Sequence, residues 1–437
     1  MNILNLINEN GCSCGKAHKT AVKKIYIEKG AIKYLPRTLK EYNAKTAFVL
    51  ADTNTFAAAG EKVCAILENS GVRISKYIFT DNEVLPDETS VGSAVMHFDS
   101  KCDVIVAVGS GVINDIGKIL SAVSNKPYFV VATAPSMDGY ASSTSSMTMG
   151  GLKISLASRC PDIIIGDLDI LSNAPMRMLL SGLGDMLAKY ISICEWNISH
   201  LINNEYYCEN IAQLVRVSLK KCVDNAEGLL NRNEIAVQAV FEGLVFCGLA
   251  MSYAGVSRPA SGVEHYISHV IDMHGVEFGS PIDMHGIQCA VGTLLSAQIY
   301  EQIKVFRPDK DKALKYVESF DYDAWSNHLK SYLGKGAQSM IELETEEKKY
   351  DIESHKKRLE KLIENWDNVI EIINHEIPAL EELKKLYNTL GMPKTLEEIG
   401  TASSEFPIIF KATKDIRDKY VLSRLCWDLG ISDEIVL

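Results

Sequence analysis

The sequence predicts an α/β domain built on a mostly parallel, Rossmann-like sheet, followed by an all-α domain. The first observation is a set of six short apolar runs within the first 170 residues, several of them separated by helical stretches. Strands that alternate with helices form βαβ units, and runs that are apolar throughout indicate strands covered on both faces. The six runs are Lys24–Ile27, Thr46–Ala51, Ile74–Phe79, Asp103–Val108, Tyr128–Ala132 and Asp162–Ile165.

The second observation is a change of pattern near Pro175, after which long amphipathic stretches dominate. They cover Met176–Asn197, Glu205–Leu230, Glu234–Tyr253 and much of Leu343–Leu390. Apolar residues at helical spacing predict helices that bury one face. We therefore expect an α/β domain over residues 1–174 and a helical domain over residues 175–437, with the active site in the cleft between them.

The composition argues against a nucleic-acid-binding, disulfide-rich or membrane-spanning protein. Of the 437 residues, 47% are hydrophobic and 23% are charged, and the formal net charge is −11. So acidic a chain is not expected to bind nucleic acid. The 11 cysteines are odd in number and scattered, which argues against a disulfide framework and favours a reducing compartment. Since neither a signal peptide nor a long apolar stretch stands out, we expect a cytoplasmic protein with no membrane span.

The turn after the fourth predicted strand is the first candidate for a ligand site. In Val106–Lys118 (VAVGSGVINDIGK), Gly109 and Gly111 stand where a strand ends and a helix begins. Glycine permits a close approach, and the free N–H groups and dipole of the new helix suit a pyrophosphate. The pattern differs from G-x-G-x-x-G, and a tight turn that needs glycine at positive φ explains it equally well.

A hydroxyl-rich stretch, Val130–Leu156, follows the fifth predicted strand and has Asp138 near its centre. In a doubly wound sheet the carboxyl ends of the strands form the ligand crevice, so small hydroxyl residues there are expected to bind a cofactor. A polar surface loop is the alternative. The length of the stretch favours a functional loop.

Residues of metal-ligand type are dispersed over three later blocks. Asp185 is expected at the start of a helix, His265 and His269 lie four apart on one helical face, and His285 precedes a glycine near another helix start. One aspartate and two histidines form a plausible three-ligand set that leaves positions open for substrate. A helix cap and ordinary core histidines are the alternatives.

Two further features are less specific. Arg258, just before the histidine-bearing helix, suits phosphate recognition through its planar fork, although an ordinary surface arginine explains it as well. Cys12, Cys14 and His18 form a partial metal knuckle with no second pair at the usual spacing, so a structural or merely buried role is favoured.

Together these motifs resemble one family. The most specific blocks are Thr133–Ser142 (TAPSMDGYAS), GLGD from Gly182, Ser257–His269 (SRPASGVEHYISH) and His285–Thr293 (HGIQCAVGT). They are similar to blocks of the sn-glycerol-1-phosphate dehydrogenases, in particular the bacterial form, within the superfamily of iron-type alcohol dehydrogenases, glycerol dehydrogenases and dehydroquinate synthases. CSCGKAH and Arg417–Gly430 (RDKYVLSRLCWDLG) are also similar, and the blocks occur in family order along nearly the whole chain.

The resemblance implies which residues form the site. The family's metal ligands match Asp185, His265 and His285, and its catalytic and substrate-contacting residues match Asp138, Asp185 and His269. Its cofactor contacts match Gly109, Gly111, Val112, Ile113, Asn114, Asp115, Thr133, Ser136 and Ser142. Asp52 fits a ribose-hydroxyl acceptor by position, with Asn54 as a rival. The GSGVIND turn lacks the third small residue that is more usual in the superfamily.

The implied activity is an NAD(H)- or NADP(H)-dependent interconversion of dihydroxyacetone phosphate and glycerol 1-phosphate. Hydride would move at C2 while a divalent ion, zinc, nickel or iron, polarises the C2 oxygen. Arg258, Lys153 and Lys189 are candidates for the substrate phosphate by position only. The alternatives are a polyol dehydrogenase, a lyase resembling dehydroquinate synthase, and a non-catalytic NAD- or metal-binding sensor. A helical domain of this size often supports a homodimer, so we expect one.

Overall fold

The chain forms two compact units in a computed structural model that describes residues 12–81, 83–150 and 152–435. The first unit comprises the described residues up to Met186 together with Gln213–Gly255. The second comprises Leu187–Ala212 and the described residues from Val256 onward. The division differs from the predicted boundary at residue 174, because a later helical stretch belongs with the sheet.

The first unit is built on a six-stranded sheet with the order β1-β8-β5-β4-β2-β3, in which all neighbouring strands are parallel. Its strands match the six predicted runs, so the predicted α/β fold is confirmed. The strands, with the two of a separate hairpin, are β1 Lys24–Glu28, β2 Thr46–Asp52, β3 Arg73–Phe79, β4 Val104–Gly109, β5 Tyr128–Ala132, β6 Thr144–Met149, β7 Leu152–Ala157 and β8 Ile163–Asp167.

Burial explains why the central strands read as continuous apolar runs. Every residue of β4 and of β5 is buried, as expected for strands that are covered on both faces. The edge strand β3 instead carries the exposed Arg73 and Lys76, and charged side chains on an edge discourage pairing with other chains.

α-Helices lie in both units. In chain order they are α1 Leu35–Glu41, α2 Thr53–Thr55, α3 Glu61–Asn69, α4 Glu88–His97, α5 Gly111–Ser124, α6 Leu168–Leu171, α7 Met176–Leu187, α8 Lys189–Asn203, α9 Glu209–Asp224 and α10 Glu234–Ala254. They continue with α11 Val263–Phe278, α12 His285–Val305, α13 Lys310–Glu318, α14 Tyr322–Leu333, α15 Gly336–Glu347, α16 Ile352–Glu364, α17 Trp366–Glu376, α18 Leu380–Leu390, α19 Phe406–Thr413 and α20 Leu422–Asp428. The predicted all-α region after the sheet is thereby confirmed.

Helix α10 is the reason why residues 213–255 group with the sheet. Phe241 lies against Gly166 of β8, where an added Cβ would be 2.2 Å from the phenyl ring, and packs edge-on against Tyr140. By length and composition α10 could cross a membrane, with a window of mean hydropathy 1.8 that sequence analysis overlooked. Because 67% of that window is buried inside the structure, α10 has the surroundings of a core helix.

The hydroxyl-rich stretch is only partly the loop that sequence analysis expects. Its second half forms the antiparallel hairpin of β6 and β7, with Ser145 paired with Leu156 and Met147 paired with Ile154. Burial alternates along β6, as the pleat of a strand requires. The serines and threonines concealed this period-two pattern, and the true loop covers only residues 133–143.

Candidate active site

The carboxyl ends of three neighbouring strands bring the predicted cofactor residues to one edge of the sheet. Strands β2, β4 and β5 are adjacent and parallel. Asp52 therefore ends β2 beside Gly109, which ends β4, while Thr133 follows β5 and its N–H donates to Gly109 O at 3.1 Å. This edge is where ligands bind in doubly wound sheets.

Gly109 is required by packing and not by an unusual backbone. Neither Gly109 nor Gly111 has a positive φ, so the tight-turn explanation does not apply. A Cβ at Gly109 would lie 2.5 Å from Cβ of Ile113, one turn into α5. The side chain of Ser110 makes no capping hydrogen bond, and the first turn of this 14-residue helix carries no acidic residue, so neither offsets the positive end of its dipole.

Asn114 and Asp115 hold the turn in place through protein contacts. The amide of Asn114 donates to Gly139 O at 3.2 Å and its Oδ1 accepts from the Tyr128 hydroxyl at 3.0 Å. Asp115 pairs with Lys118 at 3.3 Å, and burial raises the pKa of Asp115 against the lowering effect of this lysine. Their predicted role as cofactor contacts stays a prediction.

Lys118 is a functional candidate that sequence analysis missed. Its side chain is fully buried, and Nζ donates to Gly139 O, to Ser142 Oγ at 3.0 Å and to Thr144 O at 3.0 Å. Lys118 thus connects α5 by hydrogen bonds to the loop that carries Asp138. The signal was present as a lysine three residues after Asp115 on the apolar face of α5.

Asp138 and Asp185 meet within the first unit. The backbone N–H of Asp138 donates to Asp185 Oδ2 at 2.8 Å, and a carboxylate oxygen of each residue lies within 4.8 Å of the other. Gly182 makes this possible, because a Cβ there would lie 1.8 Å from Pro135 O. The small residue lets α7 approach the loop before Asp138.

Asp185 lies in the last turn of α7 and not at a helix start, so that sequence prediction is wrong. A carboxylate at a helix C-terminus meets the negative end of the dipole, and it cannot serve as an N-cap. Asp185 is fully buried as well. A buried carboxylate needs partners, and one partner of Asp185 is the N–H of Asp138 in the loop after β5.

Three histidines cluster in the second unit. His265 and His269 lie one turn apart on α11, and α12 begins at His285. The ring centroids of His265 and His285 are 5.0 Å apart, and those of His269 and His285 are 5.9 Å apart. Gly292 permits the close packing of α11 and α12, because a Cβ there would lie 2.8 Å from Glu264 O.

Two of these histidines are oriented through hydrogen bonds at Nδ1. His265 Nδ1 is 2.8 Å from Glu264 Oε1. His285 Nδ1 is 3.0 Å from Ser268 Oγ, whose own proton is donated to Gln288 Oε1 at 2.6 Å. A carboxylate and an already donating hydroxyl both act as acceptors, so both Nδ1 atoms carry the proton, which is the usual support for histidine metal ligands.

Cys289 is a further donor beside these histidines. His265, His285 and Cys289 each offer a ligand atom within 4.8 Å of the others, and Cys289 Sγ is 3.6 Å from His285 Nε2. Sequence analysis passed over Cys289, although it lies one helical turn after His285. A buried thiol here can donate to His285 Nε2 until another group takes the lone pair.

Glu195 is hydrogen-bonded to the first residue of α11. Its carboxylate accepts from the N–H of Val263 at 3.0 Å and from the N–H of Leu422 at 2.8 Å. Burial and the neighbouring Glu264 carboxylate raise the pKa of Glu195 well above its ordinary value. Glu195 thus ties the start of α11 to the N–H of Leu422, at the N-terminal end of α20.

Arg258 is buried and already donates to several protein acceptors. Its guanidinium makes a bidentate pair with Glu205, with distances of 2.7 Å from Nε and 2.6 Å from Nη2, and Nη1 donates to Tyr420 O at 2.9 Å. The predicted contact with a substrate phosphate would require Arg258 to exchange these partners. Lys189 is also buried, and its Nζ donates to Ala260 O at 2.9 Å. Lys153, the third candidate for the phosphate, lies on β7.

Asp52 acts as the N-cap of the short helix α2. Its Oδ1 accepts from the N–H of Thr55 at 2.8 Å, and Thr55 Oγ1 accepts from the N–H of Asp52 at 3.0 Å. Asn54 is exposed. The predicted ribose contact of Asp52 stays a prediction.

Comparison with known proteins places this arrangement among dehydrogenases. A family model described as iron-containing alcohol dehydrogenase matches residues 26–175. A glycerol-1-phosphate dehydrogenase [NAD(P)+] of Halalkalibacterium halodurans is 33% identical over 71% of this chain and 76% of its own length. A protein of the same name from Geobacillus thermodenitrificans is 31% identical over 76% of this chain and 81% of its own length.

Solved structures show the same fold at lower identity. A probable glycerol dehydrogenase from Sinorhizobium meliloti has a TM-score of 0.58 at 17% identity, over 95% of this chain and 98% of that one. Maleylacetate reductase from Agrobacterium tumefaciens has a TM-score of 0.61 at 13% identity, over 95% of each chain. Identities this low bear on the fold alone.

Proposed function

We propose a function from one premise, that the chain belongs to the glycerol-1-phosphate dehydrogenase family. The protein interconverts dihydroxyacetone phosphate and sn-glycerol 1-phosphate, with NAD(H) or NADP(H) as the hydride carrier. The observation that carries the proposal is the 33% sequence identity to the Halalkalibacterium halodurans protein over 71% of this chain and 76% of that protein. The hydrogen bonds at Nδ1 of His265 and His285 support it.

A divalent metal fits the residues that the family pattern selects. The proposed ligands are Asp185, His265 and His285. The fit rests on donor chemistry: a fully buried carboxylate that caps no helix start, and two imidazoles that present Nε2. Two nitrogen donors and one carboxylate suit zinc, nickel or iron(II). When bound, such an ion supplies a Lewis acid for the C2 oxygen of the substrate.

The protein side chains around that ion position the substrate and move protons. Asp138 orients the C1 or C3 hydroxyl, since its carboxylate lies beside that of Asp185. His269 lies one turn from His265 and stacks on His285 at an interplanar angle of 20°. An imidazole titrates near neutral pH, so His269 is proposed to bind the substrate or to relay the proton that the C2 oxygen gains on reduction.

The nicotinamide cofactor is proposed to bind along the carboxyl edge of the sheet. The N-terminus of α5 would face the pyrophosphate through the N–H groups of Gly111, Val112 and Ile113. Thr133, Ser136 and Ser142 line the following loop, and Ser142 is already held by Lys118 at 3.0 Å. Asp52 would accept from a ribose hydroxyl. When bound, the nicotinamide would supply or accept the hydride at C2, and the chain would supply orientation.

A reducing compartment suits this protein. None of the eleven cysteines, all of which lie within the described residues, forms a disulfide, and nine of them are buried. We propose the cytoplasm as its location and a homodimer as its state in solution.

Nicotinamide oxidation by the reconstituted enzyme tests the function. Protein stripped with a chelator and reloaded with zinc, nickel or iron(II) is mixed with NADH or NADPH and dihydroxyacetone phosphate. Substrate-dependent loss of the reduced-nicotinamide absorbance is expected, with much less for unphosphorylated dihydroxyacetone. Equal rates for both substrates would indicate a polyol dehydrogenase, and no turnover with either would indicate a non-catalytic sensor.

A further inference from the structure

We propose that Cys12, Cys14 and His18 form a second metal site, which binds zinc through two thiolates and one imidazole. None of these residues belongs to the proposed catalytic set. The inference does not depend on the proposed function, because it rests on the geometry of the first described residues of the chain. Sequence analysis favours a structural or merely buried role for this cluster, and the structure adds the distances and hydrogen bonds that point to a metal.

The donor atoms are close enough to share one ion. Each of Cys12, Cys14 and His18 offers a ligand atom within 4.8 Å of the others. Cys14 Sγ is 3.4 Å from His18 Nε2. Zinc bonds of about 2.3 Å to sulfur and about 2.0 Å to nitrogen place two tetrahedral donors roughly 3.5 Å apart. The observed spacing is therefore that of donors arranged around a zinc ion.

A tight turn brings the two cysteines to the same side. The N–H of Gly15 donates to Cys12 O at 2.9 Å. Gly15 adopts a φ of 81°, a left-handed conformation that costs glycine little. The chain can thus reverse directly after Cys14 and return towards His18.

His18 is oriented as a metal ligand. Its side chain is fully buried, and Nδ1 is 3.1 Å from the backbone carbonyl of Tyr253. Because a carbonyl only accepts, Nδ1 carries the proton and Nε2 presents its lone pair towards Cys14. A histidine that donates Nδ1–H to a carbonyl and ligates through Nε2 is a common arrangement in zinc proteins. An S–H···N hydrogen bond from Cys14 accounts for the same distance, so the test must separate the two.

The chemistry of the donors selects the ion. Thiolates are soft ligands that favour zinc over magnesium or calcium, whereas the proposed catalytic set contains only imidazole and carboxylate. Of the eleven cysteines, all within the described residues, only Cys12 and Cys14 are partly exposed. An ion can therefore reach these two thiols without opening the core.

The site would join the first described segment to helix α10. Tyr253 lies in the last turn of α10, where carbonyls have no partner within the helix. His18 takes up one of these carbonyls, and zinc would then fix His18 to the Cys12–Gly15 turn. The proposed role is structural: zinc holds the segment in front of β1 against the end of α10.

Cobalt substitution of the full-length protein tests the proposal. Cobalt(II) bound by thiolates gives an intense near-ultraviolet charge-transfer band, which a site of imidazoles and carboxylates does not give. The wild type is expected to show this band, Cys12→Ser/Cys14→Ser is expected to lose it, and Ser13→Ala in the same turn is the matched control that keeps it. His18→Cys adds a third thiolate and should strengthen the band.

Metal content provides a second measurement. Zinc-loaded wild type is expected to hold one equivalent more per chain than Cys12→Ser/Cys14→Ser. Cys289→Ser, which removes the thiol beside the proposed catalytic histidines, should keep the cobalt band. The proposal is overturned if wild type lacks the band, if the band survives in the double variant, if only Cys289→Ser abolishes it, or if thiol titration shows that Cys12 and Cys14 form a disulfide.

Discussion

His265 donates its Nδ1 hydrogen to Oε1 of Glu264 over 2.8 Å, and the same oxygen accepts the N–H of Gly262 at 2.8 Å. Two neighbouring residues in the first turn of α11 thus orient one another. The carboxylate fixes both the ring position and the tautomer of His265, so Nε2 faces the proposed metal site. Glu264 is a positioning residue in this account, because it acts through His265.

Replacing Glu264 by Gln is expected to weaken metal binding about 10–100-fold. The amide retains the size of the side chain but accepts a weaker hydrogen bond, so His265 becomes a poorer ligand. Metal titration of the stripped protein measures the affinity, and excess metal should restore turnover. Glu301→Gln, which removes a partly exposed pair with Lys304 on α12, is the control. Equal affinity in Glu264→Gln and wild type would remove Glu264 from the account.

Gly182→Ala is expected to destabilise the protein by about 1–3 kcal/mol and to impair activity as well. The added Cβ would lie 1.8 Å from Pro135 O, so α7 and the loop before Asp138 must separate. Urea unfolding and steady-state rates measure both effects. Gly92→Ala on α4, where nothing lies within 4 Å of the added Cβ, should instead stabilise by up to about 1 kcal/mol.

Arg258→Ala is expected to lower stability by roughly 3 kcal/mol, because the change leaves Glu205 without its buried partner. The Arg258 side chain is only 2% exposed and already donates to Glu205 and to the carbonyl of Tyr420. KM for dihydroxyacetone phosphate should therefore stay near the wild-type value in the folded fraction. A large rise in KM with unchanged stability would instead support the predicted phosphate contact.

Lys419 should make stability depend on pH. Burial lowers the pKa of its amine to about 7 from 10.5, with Arg258 adding to the effect and Glu264, Glu195 and Glu205 opposing it. The charged form is disfavoured in the folded state, so the unfolded chain binds more protons between pH 7 and 10.5, and stability rises with pH in that window. Below about pH 7 the full cost of charging the amine in the folded state is present.

Lys419→Met isolates this contribution. The wild type should gain stability relative to Lys419→Met as pH rises from 7 to 9, at a slope of up to about 1.4 kcal/mol per pH unit. Urea unfolding at several pH values measures the difference. Parallel curves for the two proteins would show that Lys419 keeps its ordinary titration.

The strands of the sheet could be predicted from the sequence because their burial leaves a strong local signal. Residues of β4 and β5 are apolar throughout, and strand ends marked by Gly109 or Thr133 follow directly. The hairpin could not be found in this way, because Ser145 and Thr148 resemble loop residues while the alternation of burial depends on the packing of β6 against its neighbours. The grouping of α10 with the sheet likewise depends on a distant contact, Phe241 against Gly166.

Some residues of the candidate site could likewise be predicted from local sequence features, and others could not. The predicted histidines come together on α11 and α12, since a spacing of four residues and a helix start are local features. The position of Asp185 was misjudged because its helix begins nine residues earlier, at Met176. Lys118 and Glu264 were missed because their roles depend on partners distant in sequence, such as Gly139, or on side-chain geometry, as in the Glu264–His265 pair.

The stereochemistry of the product tests the central claim most directly. Metal-loaded enzyme is supplied with dihydroxyacetone phosphate and reduced nicotinamide, and the product is assayed with an enantiospecific glycerol-3-phosphate dehydrogenase. We predict sn-glycerol 1-phosphate, which that enzyme does not oxidise, and loss of its formation in Asp185→Ala and His285→Ala. Formation of glycerol 3-phosphate, or turnover that persists in both variants, would contradict the account.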